Sequence, residues 1–378
     1  MKYTFILSSL LMLCACAATS PTTAGMTHDA SALWRGVDLS YVNELEDCGA
    51  TYSDAEGRSD PYEIFSEAGA NIVRLRLWHS PDWTDYSTLA DVKKSIARAH
   101  GAGMEVLLDF HYSDDWVHPG KQIIPAAWQG YETEEELAGK LYDYTFSTLM
   151  ELYDKGLLPR YVQVGNETNT DMLITEEVAE DAPIDWPRNV KFLNAGIQAV
   201  RDVTAETGQP VDIMLHIAQP ENVEPWFDDA AAAGVLDFDL IGLRYYAKWS
   251  EMPYELMDHA INRFVTKYNK GVVVVETAYP WTLDGNDAAN NLLGGDSLID
   301  GYAATKGGQR KQMIDLMQTV VDNGDLGVVY WEPAWISSDC STRWGQGSHW
   351  ENAALFDFSG RLHRGADFLS HDYSRDGN

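Results

Sequence analysis

The feature that most constrains how this chain can fold is an alternation of eight short β-branched or apolar runs with segments of helical period. The runs are Gly36–Ser40, Ile72–Leu77, Glu105–Phe110, Tyr161–Val164, Val211–His216, Leu240–Leu243, Val272–Glu276 and Gly327–Trp331. Between them, Leu89, Val92, Ile96 and Ala99 share one helical face. So do Val190, Leu193, Ile197 and Val200, and again Met313, Leu316, Met317 and Val320. Asp60-Pro61 with Glu63 reads as a helix start, and Gly101 with Gly103 as a helix end. Buried strands alternating with amphipathic helices imply right-handed βαβ units and a parallel sheet. Eight such units close into a (β/α)8 TIM barrel, an α/β fold in one domain, predicted over residues 31–378 of the 378. A doubly wound open sheet is the competing architecture, but neither G-x-G-x-x-G nor G-x-x-x-x-G-K-[ST] follows any run.

Charge narrows the ligand. Lys and Arg number 27 against 58 Asp and Glu, a formal charge of -31, so the average surface repels phosphates and anionic lipid heads. Nucleic acid is therefore excluded as a partner, and neutral ligands are favoured. Thirteen Trp and 19 Tyr offer flat faces for them. At the N-terminus, Lys2 precedes the apolar run Phe5–Leu13, too short to span a bilayer and flanked as a secretory signal is. Leu13-Cys14-Ala15-Cys16 resembles a bacterial lipobox, which makes residues 1–15 a signal peptide, Cys16 the lipidated residue and residues 16–30 a flexible tether; an ordinary cut near Ala18 is the alternative. Either way the chain is expected to be exported. With the lipobox it is anchored to a bacterial membrane, at the cell surface or in the periplasm, and meets the membrane through that lipid alone. No self-complementary apolar stripe is visible, so a monomer is expected. Cys48 and Cys340 remain, on the first and eighth loops of the ring; a disulfide and two free thiols are both compatible with the sequence.

In a barrel, functional groups sit where strands end. The runs deliver Asp38, then Arg74, Arg76 and Trp78, then Asp109, His111 and Asp114, then Asn166 and Glu167, followed by His216, Tyr245 and Tyr246, Glu276, and Trp331 with Glu332. Glu167 and Glu276 each directly follow a β-branched run. Two acids facing across a barrel mouth suit glycoside cleavage, one protonating the departing oxygen and the other attacking the anomeric carbon or activating water. A single strand-end Glu would more readily be read as the partner of a core Arg. Trp78, Trp116, Trp249, Trp281, Trp331, Trp344 and Trp350 are candidate platforms for the C–H face of a sugar, with about half of them expected in the core.

The stretches Arg35–Ser40, Asn71–Trp78, Leu108–Trp116, Gln163–Glu167, Gly242–Tyr246, Val275–Pro280 and Trp344–Gly347 resemble glycoside hydrolase family 53, the arabinogalactan endo-β-1,4-galactanases, from Trp34 to about Phe368. That resemblance implies a retaining endo-β-1,4-galactanase acting on galactan and galacto-oligosaccharides, with Glu167 as acid/base and Glu276 as nucleophile. It further implies that Asn166 bonds the sugar 2-hydroxyl, that Arg74 or Arg76 holds Glu276 ionised, and that Tyr245 donates to Glu276. Asp38, Arg74, Trp78, Asp109, His111, Asp114, Trp116, Asn166, Tyr245, Trp331 and Trp344 are the expected substrate-binding set. His111, Asp109 and Asp114 also have ligating side chains. The family's chemistry uses no catalytic metal, so they are assigned to sugar hydroxyls and their support, and no cofactor is required. Some bacterial relatives carry a structural calcium ion near the seventh and eighth loops, and Asp284, Asn286 and Asp287 are the candidates for one here.

Two other readings keep the same barrel. One assigns a different β-1,4-glycan, such as mannan or xylan; the other is a lipid-anchored protein that binds glycan without cutting it. The presence of both glutamates argues against the second.

Overall fold

The computed structural model describes residues 33–131, 133–324 and 326–373; the expected signal peptide (1–15), Cys16 and the whole of the expected tether (16–30) lie outside the described residues. Eight parallel strands close on one another in chain order: β1 (Trp34–Asp38), β2 (Ile72–Leu77), β3 (Glu105–Phe110), β4 (Tyr161–Val164), β5 (Asp212–Ala218), β6 (Leu240–Arg244), β7 (Gly271–Thr277) and β8 (Gly327–Tyr330). The last pairs back onto the first through Trp34↔Gly327 and Val37↔Tyr330. Each strand lies within two residues of its sequence run. The helices packed outside are α1 (Val42–Asp47), α2 (Pro61–Glu67), α3 (Leu89–Gly101), α4 (Glu134–Asp154), α5 (Trp186–Thr207), α6 (Pro220–Ala233), α7 (Met257–Tyr268) and α8 (Lys306–Asp322).

Local chemistry sets these boundaries. The Asp60 carboxylate accepts from the Tyr62 amide at the start of α2, with Pro61 in the first turn, while Glu63 stays exposed. Thr133 and Glu136 close a reciprocal capping box on α4. After α3 the chain reverses through Gly103 at φ +78°, a conformation that costs glycine nothing.

Two apolar layers hold the barrel. The outer one lies between strands and helices. The inner one plugs the base of the ring with Trp34, Ile72, Leu107, Met214, Leu240, Val273, Val275 and Val329. One step up each strand the inward positions turn polar, with Arg74, Asp109, Gln163 and His216 all buried. That ionic storey is the floor of the site.

Candidate active site

Two backbone irregularities aim the glutamates into the mouth. Along β7, Leu243 of β6 pairs with Val274 but Arg244 pairs with Glu276, so Val275 is an extra residue in the ladder. This bulge turns Glu276 inward directly above Val275, where strict alternation would have pointed it out. After β4 the chain bends through Gly165 at φ +79° and Glu167 at φ +47°. A left-handed glutamate is strained. The turn is held by the Gln122 side chain, which donates to the carbonyls of Asn166 and Glu167 at 2.9 and 3.1 Å, and by the Thr168 amide donating to the His216 carbonyl at 3.1 Å.

Each glutamate meets its own arginine. Arg244 Nη1 lies 2.6 Å from Glu167 Oε1, and Arg74 Nη1 lies 2.6 Å from Glu276 Oε1. Oxygens of the two carboxylates and a ring nitrogen of His216 all fall within 4.8 Å of one another. Burial raises both carboxyl pKa values, and Glu167, which also feels Glu276, is pushed up to about 8. The rise of Glu276, again driven first by burial, is opposed by Arg74 and Arg244. The pair therefore titrates jointly, holding one proton that favours Glu167.

Arg74 is the hub beneath them. Its guanidinium donates to Asp38 Oδ2 (3.0 Å), Asp109 Oδ2 (2.7 Å), Asn166 Oδ1 (2.9 Å) and Gln163 Oε1 (3.2 Å) while holding Glu276. Burial alone would lower its pKa, but Asp109, Glu276 and Asp38 outweigh it and fix the charge. Arg76 lies elsewhere. Its guanidinium carbon sits 4.1, 4.6 and 4.7 Å from the ring centroids of Trp116, Trp78 and Tyr41, beside Glu332 at 3.5 Å. Arg76 thus braces the aromatic wall, and Arg74 alone touches the nucleophile candidate.

Among the residues named from sequence, Trp116, Asn166, Glu167, Tyr246, Trp249, Glu276, Trp331, Trp344 and Trp350 line a cleft of about 280 Å³ at the mouth. Asp38, Arg74, Asp109 and His111 lie under it, fully packed. His111 receives the Trp78 indole N–H on Nδ1 at 3.3 Å and pairs with Asp109 through Nε2 at 3.1 Å, so both ring nitrogens are occupied. Three expectations need correcting. Trp78 is 2% exposed and supports Trp116 edge-on, so it offers no open platform. Asp114 accepts from the amides of Ser80 and Ala126, both at 2.8 Å, and ties two loops together. Tyr245 packs against Tyr254 on the outside of the ring. Inward positions on β6 are Gly242 and Arg244, so the next inward tyrosine is Tyr246, which lines the cleft and whose pKa burial and then Glu276 raise.

Sequence reasoning missed Arg244 altogether, although its even spacing from Gly242 was the available signal. Exposed Trp249 and Trp344 flank the cleft, and a larger cavity of about 980 Å³ opens beside it, sharing Arg244, Trp249 and His118 and continuing over Asn169, Gln219 and Glu221.

Asp287 accepts from the amides of Ala289 (2.9 Å), Ser338 (3.2 Å) and Ser348 (2.6 Å), and Asp284 from the Thr282 hydroxyl at 3.3 Å. A cation needs lone pairs where Asp287 is ringed by N–H donors, so Asp287 does not fit a calcium site. Cys48 and Cys340 are joined in a disulfide with Cα atoms 5.4 Å apart. Among the described residues no helix is long and apolar enough to cross a membrane.

Residues 34–369 match the model of glycosyl hydrolase family 53. The chain is 48% identical over 357 residues to an arabinogalactan endo-beta-1,4-galactanase of Cellvibrio japonicus, covering 94% of this chain and 93% of that one. It is 31% identical to an endo-beta-1,4-galactanase of Bacillus subtilis, covering 86% and 82%. Among solved structures it superposes on the Ignisphaera aggregans GH53 catalytic domain with a TM-score of 0.82 at 32% identity, covering 90% of this chain and 96% of that one.

Proposed function

The chain belongs to glycosyl hydrolase family 53, and on that premise we propose that Glu167 and Glu276 carry its chemistry. The protein is a retaining arabinogalactan endo-β-1,4-galactanase and needs no cofactor. The observation supporting these roles is that two arginine-held carboxylates each bring an oxygen to within 4.8 Å of the other. Retaining glycosidases place theirs about 5–5.5 Å apart, whereas inverting enzymes leave about 6.5–9.5 Å for a water.

In the first step the Glu276 carboxylate attacks the anomeric carbon while the Glu167 carboxyl gives its proton to the departing glycosidic oxygen. A galactosyl ester on Glu276 and a shortened chain result. In the second step Glu167, now ionised, takes a proton from water, and the hydroxide attacks the same carbon, freeing Glu276. Two inversions give retention. Asn166 Oδ1 is taken by Arg74 and Gln163, and its Nδ2 spends one hydrogen on the Val117 carbonyl at 3.2 Å. The other hydrogen is left for the sugar 2-hydroxyl, a bond that strengthens as the ring approaches the oxocarbenium ion. Trp116, Trp331 and Trp344 supply the apolar walls. The leaving sugar stands on the Glu167 side, which assigns the large cavity beyond Arg244 to the reducing-end part of the chain.

Export through residues 1–15 with lipid attachment at Cys16 rests on the Leu13–Cys16 motif, and we read the anchored form as a monomer. The mass of the mature N-terminus, with and without Cys16→Ser, tests the anchor. The activity is tested by following reducing ends and product lengths with linear β-1,4-galactan, β-mannan and xylan. Short galacto-oligosaccharides from galactan alone, released first as the β-anomer, are expected. Tight galactan binding without cleavage would favour the capture protein.

A further inference from the structure

Gln219 stands immediately beyond β5, in the wall of the larger cavity beside the cleft. Its backbone has φ +67° and ψ 134°, a region that glycine enters freely and other residues enter only under strain. The neighbours impose it. Asn169 clamps Ala218 with two hydrogen bonds, its Oδ1 accepting the Ala218 amide at 2.8 Å and its Nδ2 donating to the Ala218 carbonyl at 2.9 Å. The Gln219 amide then donates to the Arg244 carbonyl at 3.1 Å, and the Gln219 carbonyl accepts from the Asn222 amide at 3.1 Å as α6 begins.

The side chain so placed is left unsatisfied. Gln219 is 7% exposed, it lines the cavity, and its Oε1 is buried without a hydrogen-bond partner. An unpaired buried carboxamide costs free energy that a ligand hydroxyl recovers. A half-turn of the carboxamide exchanges its oxygen and nitrogen in nearly the same space, so either can face the cavity. The polar side chains beside it are already spent on the walls. Asn169 is taken up by Ala218, while Glu221 accepts from the Ser250 hydroxyl and the Glu251 amide, each at 2.8 Å. Trp186, Trp226 and Trp249 add flat apolar faces to the same cavity. Glu180, Asp181, Asp229 and Glu251 line it as well, and Arg244 is held by Glu167, so an acidic sugar is disfavoured there.

We propose that the Gln219 carboxamide hydrogen-bonds a hydroxyl of a neutral sugar seated in this cavity, on the reducing-end side of the bond that is cut, which makes Gln219 a specificity-determining residue. A strained backbone retained under a polar side chain with no partner in the protein fits a group held ready for a ligand. The position is next to the chemistry, because the Arg244 carbonyl that receives the Gln219 amide belongs to the residue whose guanidinium holds Glu167. This inference rests on the reading that the cavity takes the reducing-end part of the chain.

Two substrates isolate the contact. Galactotetraose cut at its central bond and an aryl galactobioside present the same two sugars on the non-reducing side, and they differ in what enters the cavity. The ratio of kcat/KM on the first to kcat/KM on the second therefore reads the reducing-end sugars. Gln219→Leu keeps the apolar bulk and removes the carboxamide; it should lower that ratio about tenfold. Gln219→Gly takes the same backbone conformation without strain, so it stands in should the leucine variant fail to fold, and it should lower the ratio as much. A ratio unchanged in the folded variants, or equal losses on both substrates, overturns the proposal. Trp249→Ala measured alongside separates this inference from the reading beneath it. A ratio moved by Trp249→Ala and by neither Gln219 variant leaves the cavity to the reducing-end sugars and removes Gln219; a ratio moved by none of the three removes both.

Discussion

Arg244 Nη1 rests 2.6 Å from Glu167 Oε1, so the group we propose as the acid for the leaving sugar is itself held by a cation. The contact opposes the burial that raises the Glu167 pKa and makes its ionised form accessible. The proposed mechanism needs both states, the acid in the first step and the base in the second.

Arg244→Met therefore has a signed consequence. Without the cation, Glu167 should hold its proton to higher pH, moving the basic limb of kcat/KM upward. Deglycosylation, which needs the carboxylate, should slow, with kcat at pH 7 lowered by about 10²-fold. A pH profile with an unchanged basic limb would remove Arg244 from the pair.

Glu167→Ala and Glu276→Ala should each cut galactan turnover by orders of magnitude with circular dichroism unchanged. Azide distinguishes them. It should restore cleavage of an aryl galactobioside by Glu276→Ala with an inverted azide product, and give a retained adduct with Glu167→Ala. Near wild-type turnover in either variant would reassign that residue.

Much of this was legible in the sequence because barrel strands are buried on both faces and read as continuous apolar runs. Val272–Glu276 announced both β7 and its terminal acid. What the sequence hid was direction. A run of four valines has no polar alternation to expose the extra residue at Val275, and the Arg244-Tyr245-Tyr246 stretch offers two tyrosines with no local sign of which faces inward. Trp78 escaped for another reason: besides Arg76 and Trp83 of its own stretch, its burial depends on Trp116, which comes from the loop after β3. The ring topology, by contrast, already made Cys48 and Cys340 neighbours.

The asymmetry of the mouth yields a substrate test. Trp249 borders both the cleft and the larger cavity on the Glu167 side. On the proposed assignment of that cavity to the reducing-end sugars, an aryl galactobioside places no sugar in it, whereas galactan fills it. Trp249→Ala should therefore lower kcat/KM on galactan by about 10-fold or more while changing the aryl substrate by much less. Equal losses on both would place the reducing-end sugars elsewhere.

The Cys48–Cys340 bridge spans 292 positions and joins the first loop to the eighth, so it removes much of the freedom of the unfolded chain. Replacing both cysteines with serine should cost about 2–5 kcal/mol in urea unfolding, with kcat nearly unchanged. Loss of activity at full stability would point to a role in shaping the cleft.

His363 gives the stability a pH dependence of known sign. It sits 9% exposed against Trp281, its Nδ1 accepting from the Gly365 amide at 3.0 Å, and burial lowers its pKa from 6.5 to about 4. Below pH 6.5 the unfolded chain takes up a proton that the folded state refuses. The stabilising contribution is thus complete above pH 6.5 and is lost as the pH falls toward 4, about 3 kcal/mol over the whole window. Glu332, whose buried carboxyl is raised, works in the opposite sense, so the wild-type slope alone mixes the two. Comparison with His363→Asn isolates the histidine, because asparagine keeps an acceptor for Gly365 and does not titrate. The difference in unfolding free energy between the two proteins should shrink by about 2–3 kcal/mol from pH 7 to pH 4.5. A difference constant with pH would mean that the imidazole charges inside the fold.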